Sequence, residues 1–125
     1  MSSGTDWEEE YGYSDAVLSG DLLFCSGQVG LGPDGTPPAD PERQYELAFA
    51  TLGALLAKHG ASPLDLVEWT SYHVDYPHHM SEFMAAKARF QGAARPAWTA
   101  IGVAALGQRG ILVEIKAIAR IGTAR

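Results

Sequence analysis

The chain has a single cysteine, Cys25, in 125 residues. One thiol excludes an internal disulfide framework and suits a reducing compartment. Basic residues are also few: 9 Lys and Arg stand against 15 Asp and Glu, a formal net charge of −6. That deficit argues against a phosphate-backbone partner, because nucleic-acid binders carry a basic face. Asp6, Glu8, Glu9 and Glu10 hold much of the excess, so the rest of the chain is closer to neutral. No apolar run approaches the roughly 18 residues of a membrane span, and the acidic N-terminus is unlike a signal peptide. There is no repeat and no low-complexity tract. The expectation is one cytoplasmic domain with its own hydrophobic core and neither nucleic acid nor membrane as partner.

What is present orders itself along the chain. Residues 1–11 are polar and read as a flexible arm; the single domain is expected over 12–125. From Ser14, two apolar segments flank Ser19-Gly20-Asp21, a turn suited to a hairpin. The stretch "LGPDGTPPADP" must be loop. Asp40 and Pro41 supply an N-cap and a first helical position. Tyr45, Ala48, Phe49, Leu52, Leu55 and Leu56 then form one apolar stripe, which Gly60 terminates. Ser62 and Asp65 are spaced as a capping box. Residues 66–75 read as a strand. Pro77 is expected to open a second helix carrying Met80, Phe83, Met84, Lys87 and Phe90, which Gly92 stops. Two strands joined by "GQRG" close the chain.

The order β-β-α-β-α-β-β predicts an α+β fold, a mixed sheet with both helices on one face. Side-chain alternation puts Val113, Ile115, Ala117 and Ala119 under the helices, with Glu114 on the opposite face. The same reasoning turns Ile101 and Val103 toward the helices and Trp98 away from them. It places Leu22, Phe24, Ser26 and Gln28 together on one side. The face without helices is partly apolar, so an oligomer is expected.

Glu114 is the first candidate for chemistry. A carboxyl between Val113 and Ile115 is either partly desolvated and suited to acid–base work, or ion-paired with Lys116 or an Arg of another subunit. In "FCSGQVG", Gly27 marks either a bulge or close backbone approach to something bound, or a simple twist point in the sheet, with Ser26 and Gln28 beside it as hydrogen-bonding side chains. Cys25 falls on the other parity and reads as a small core residue. His73, Asp75, His78 and His79 do not suggest convergent metal ligands, because Pro77 redirects the chain between them. The "GPDG" turn lacks what a phosphate loop needs.

Taken in order, "YSDAVLSGDLLFCSGQVGLGPDG", "QYELAFATLGALLAKHGASPLDLVEWTSYHVD", "RPAWTAIGVAAL" and "VEIKAIA" resemble the RidA (YjgF) family over about residues 12–121. The resemblance implies a chorismate-mutase-like fold and a homotrimer with a cleft at each subunit interface. It implies hydrolysis of a small imine or enamine with no metal and no cofactor. In relatives, an Arg clamps the substrate carboxylate and a Glu positions or activates water. Residue by residue, Tyr13 matches the cleft tyrosine, Ser26 the serine of "SGQ" with Gly27 and Gln28 beside it, and Glu114 the catalytic acid. The clamp departs: Pro96-Ala97-Trp98 stands where the family has Pro-Ala-Arg or Pro-Thr-Arg. Met84 falls where an asparagine is usual. Arg95 and Arg109 are nearby in sequence. The implied activity is therefore a hydrolase with specificity altered from 2-imino acids, Trp98 and Met84 binding substrate. The alternative is a trimer that binds a small molecule without catalysis.

Overall fold

The computed structural model describes residues 6–121. Residues 1–5 of the expected arm, and 122–125 of the expected domain, lie outside the described residues. Trp7–Tyr11 forms a short helix, α1, between an Asp6 N-cap and a left-handed Gly12. The Asp6 carboxylate accepts from Glu9 N–H and Gly12 N–H returns to Glu8 C=O, so both ends are closed by local bonds.

The hairpin follows as expected. Ala16–Ser19 (β1) and Leu22–Gln28 (β2) pair antiparallel across a two-residue turn. Gly20, at φ +62°, supplies the conformation such a turn requires. Pro41–Lys58 (α2) starts at the Asp40 cap and buries the predicted stripe. The Ser62–Asp65 capping box forms, and Leu66–Val74 (β3) follows it. Met80–Gln91 (α3), Ala97–Val103 (β4) and Val113–Arg120 (β5) complete the chain. Pro77 does not open α3. It sits in a turn with Asp75 and His79 both at positive φ, and the helix begins three residues later.

The sheet order is β1-β2-β5-β3-β4, with β3 and β4 parallel and the other pairs antiparallel. Both long helices pack on one face, where Tyr45, Phe49, Leu52 and Leu56 of α2 meet Phe83 of α3, Trp69 of β3 and the inner residues of β5. Val113, Ile115, Ala117 and Ala119 are at most 1% exposed, as their alternation predicted. Cys25 is also in this core, and burial pushes its thiol up to about 11.

Two parity expectations are overturned. In β4, Trp98 faces the helices, not the open side. It pairs in register with Trp69, stacks on that ring at 5.5 Å, and donates its indole N–H to Ser71 Oγ at 2.9 Å. Ile101 and Val103 therefore face outward. The reason is physical: both faces of this sheet are apolar, so large side chains do not reveal which face they occupy. In β2, a bulge shifts the register between Cys25 and Gln28. Gln28 consequently turns to the helix side beside Ile115, while Ser26 stays with Phe24's surroundings.

Candidate functional site

The bulge at Ser26-Gly27 and the strand position of Glu114 build the centre of a cleft of about 740 Å³ on the helix-free face. Glu114 projects from β5 between two buried neighbours, and its carboxylate lies over Gly27. A Cβ at residue 27 would overlap that carboxylate, meeting Cδ at 2.5 Å and Cγ at 2.7 Å. Of the readings of this glycine, the bulge is the one the structure shows, and the group packed against it is Glu114. Burial raises the Glu114 pKa above the ordinary carboxylate range.

Ser26 is fixed by the strand it joins. Its N–H donates to Asp15 C=O at 2.7 Å, and its hydroxyl donates to Ser14 C=O at 2.6 Å. Tyr13 lies across the cleft, its phenol pKa raised by burial and then by the charges of Asp15, Glu8 and Glu114. Glu8 accepts the Asp15 N–H at 2.6 Å, which fastens α1 to the start of β1. Through that contact Trp7 and Tyr11 become walls of the cleft. Sequence reasoning missed both, although Asp6 ahead of "WEEEY" and Gly12 behind it were readable helix signals.

The far wall is the loop with Gly107, Gln108 and Ile111. It is held by Gln44, which is fully buried on α2. The Gln44 side chain donates to Gly110 C=O at 3.0 Å and accepts from Leu112 N–H at 2.5 Å. Among the described residues lining the cleft, none is Lys, Arg or His.

One chain therefore brings Tyr13, Ser26, Gly27 and Glu114 together. It does not bring Gln28, Trp98 or Met84 to them. Gln28 is 6% exposed and donates to Ser26 C=O at 3.0 Å. Trp98 lies under α3 with Lys87 Nζ 4.7 Å above its ring, and β3 separates its strand from β5. Met84 is 40% exposed on α3, in the helix layer. Arg95 is engaged at the end of α3, donating to Gly92 and Ala94 carbonyls at 2.7 Å. Arg109 lines a separate pocket beside Val74 and Ala104. His73 is buried with Nε2 2.7 Å from Ser71 Oγ, while His78 and His79 are exposed. Burial pushes His73 down to about 4.

Residues 6–121 match the family described as endoribonuclease L-PSP. The chain belongs to the RidA/YjgF/L-PSP family. Among the members of that family, the RutC family protein YjgH of Escherichia coli K12 is 46% identical over 113 residues, covering 90% of this chain and 85% of YjgH. A solved YjgH structure superposes with a TM-score of 0.83 at 44% identity, covering 93% of this chain and 88% of that one. Rv2704 of Mycobacterium tuberculosis, a YjgF/YER057c/UK114 family member, gives a TM-score of 0.83 at 32% identity over 97% of both chains. These RidA-family structures share the five-stranded sheet and two main helices described above.

Proposed function

We propose that this chain is a cofactor-independent hydrolase of a small imine or enamine, with Glu114 as its catalytic residue. The observation that carries the reading is a half-buried carboxylate, raised in pKa, held over a glycine bulge at the bottom of a cleft. Such a group suits a base that must later return its proton. Glu114 removes a proton from water as the oxygen adds to the carbon of the protonated C=N group, the iminium form of the substrate. The protonated Glu114 then gives that proton to nitrogen. As the C–N bond breaks, the hydroxyl proton leaves through Glu114, and the released ammonia carries it away as ammonium. Tyr13, kept a neutral phenol, offers a hydrogen bond at the rim.

The helix-free face supports assembly into a homotrimer. Val17, Phe24 and Ile101 are 53%, 41% and 40% exposed on it, with Tyr72 and Ile118 half-buried between them. An apolar face of this kind is best covered by further copies of the chain. This reading assigns no substrate contact to Trp98, packed under α3, or to Met84, carried on α3 in the helix layer.

The test is turnover of freshly generated imines by Glu114→Gln. Loss on the order of 10²–10⁴-fold, with the assembly unchanged by light scattering, is expected. Rates equal to wild type would remove Glu114 from the mechanism. The lack of a basic residue among the described residues lining the cleft favours one alternative, a non-catalytic small-molecule binder. Tight calorimetric binding with no turnover of any imine would select it. RNA cleavage fits poorly with a net charge of −6 and a cleft in which Glu114 is the only charged residue among the described lining residues.

A further inference from the structure

Three aromatic side chains from the N-terminal segment, Trp7, Tyr11 and Tyr13, line the same cleft as Glu114. Trp7 and Tyr11 come from one turn of helix whose backbone is fixed by the Asp6 cap and by the Glu8–Asp15 bond, so the helix that carries them is in place before a ligand arrives, with the Tyr11 ring largely exposed. Pre-set aromatic faces bind flat apolar groups at low entropic cost. Glu114 is the charged side chain among the described lining residues, and Glu8 and Asp15 are close enough to Tyr13 to act on it; Arg43, paired with Glu46, lines the neighbouring pocket with Asp15. No basic residue offsets them among the described lining residues. A carboxylate entering here would meet charges of its own sign, whereas a cation would face Glu114 and aromatic rings together.

We infer that the cleft selects the iminium of an arylalkylamine that carries no carboxylate, with Trp7 and Tyr11 as the specificity-determining residues. The inference rests on imine hydrolysis at Glu114. The cationic C=N carbon sits at Glu114, and the aromatic arm lies against the α1 wall. The N-terminal helix is then the element that sets substrate choice.

The experiment compares two imines that differ by one group. An amine oxidase acting on 2-phenylethylamine supplies the first, and an amino-acid oxidase acting on phenylalanine supplies its 2-carboxylated counterpart. The imine from ethylamine serves as the arm-free reference. The expected result is preference for the phenylethyl imine over both others. In Trp7→Leu and Tyr11→Leu, the phenylethyl-to-ethyl ratio of kcat/KM should fall about tenfold for Trp7 and less for Tyr11. Preference for the carboxylated imine would overturn the inference while leaving imine hydrolysis intact. So would a ratio unmoved by either substitution.

Calorimetry with 2-phenylethylammonium and 3-phenylpropionate separates the inference from the catalytic reading. If no imine is turned over, cation binding weakened by Trp7→Leu still supports the aromatic-cation site. Binding of the anion alone, or of neither, overturns it.

Discussion

Gly27→Ala isolates the geometry on which the site depends. Gly27 does not occupy the positive-φ region, so alanine fits its backbone. What the new methyl meets is Glu114, with Cδ at 2.5 Å and Cγ at 2.7 Å. Ordinary carbon contacts lie near 3.5–4.0 Å, so the carboxylate must withdraw by about 1 Å or leave its rotamer. The withdrawal costs about 0.5–1.5 kcal/mol. The stiffer unfolded chain returns about 0.4–1 kcal/mol, so stability changes by about 1 kcal/mol at most. A displacement of about 1 Å at a reacting group is worth about 10²-fold in rate. Thermal melting and imine turnover, measured on the same samples, should therefore diverge: a shift of a few degrees beside a loss of about two decades in kcat/KM. Turnover within a few-fold of wild type would show that the Glu114 position over Gly27 has no catalytic meaning. A large loss of stability would show instead that the bulge is chiefly structural.

Other consequences are more local. Gln44→Leu removes the bonds to Gly110 and Leu112 and should cost about 2–3 kcal/mol in denaturant unfolding, together with a raised KM because the cleft's far wall loosens. Trp98→Leu should cost about 2–3 kcal/mol, since the indole packs on Trp69 and Phe83; no loss of stability would mean that the ring is not in the core. His73 is lowered from an ordinary 6.5 to about 4, so the unfolded chain binds the proton first and stability declines as pH falls through that interval. The gap amounts to about 3 kcal/mol between neutral pH and pH 4, visible in urea titrations and removed from the profile in His73→Phe. Glu114 has the opposite sign: its raised pKa makes the charged form a cost at neutral pH, so Glu114→Gln should melt at the same temperature as wild type or higher.

The boundaries of α2 and the turn after it were legible because they are local: Asp40-Pro41, Gly60 and the Ser62–Asp65 box act within one turn of the backbone, whereas α1 was missed and Pro77 misplaced the start of α3. The inner residues of β5 were legible because they sit at the centre of the sheet, under both helices. Strand faces failed where a non-local feature decides them. The bulge that inverts Gln28 is set by pairing with Ile115, far along the chain. Trp98 was misplaced because β4 joins β3 at the edge, which no alternation within β4 encodes. Glu114, Gly27, Ser26 and Tyr13 were found in sequence, yet the charge character of their surroundings emerged only with α1 folded against β1.

The dependence of kcat/KM on pH tests the central claim most directly. If the Glu114 carboxylate is the base, activity declines in acid as that group protonates. Because burial holds its pKa above the ordinary value, the midpoint should lie above the 4.5 of an unperturbed glutamate. Glu114→Gln should retain no such limb in whatever activity remains. An acid limb at or below the ordinary value, or one that persists in Glu114→Gln, would contradict the account.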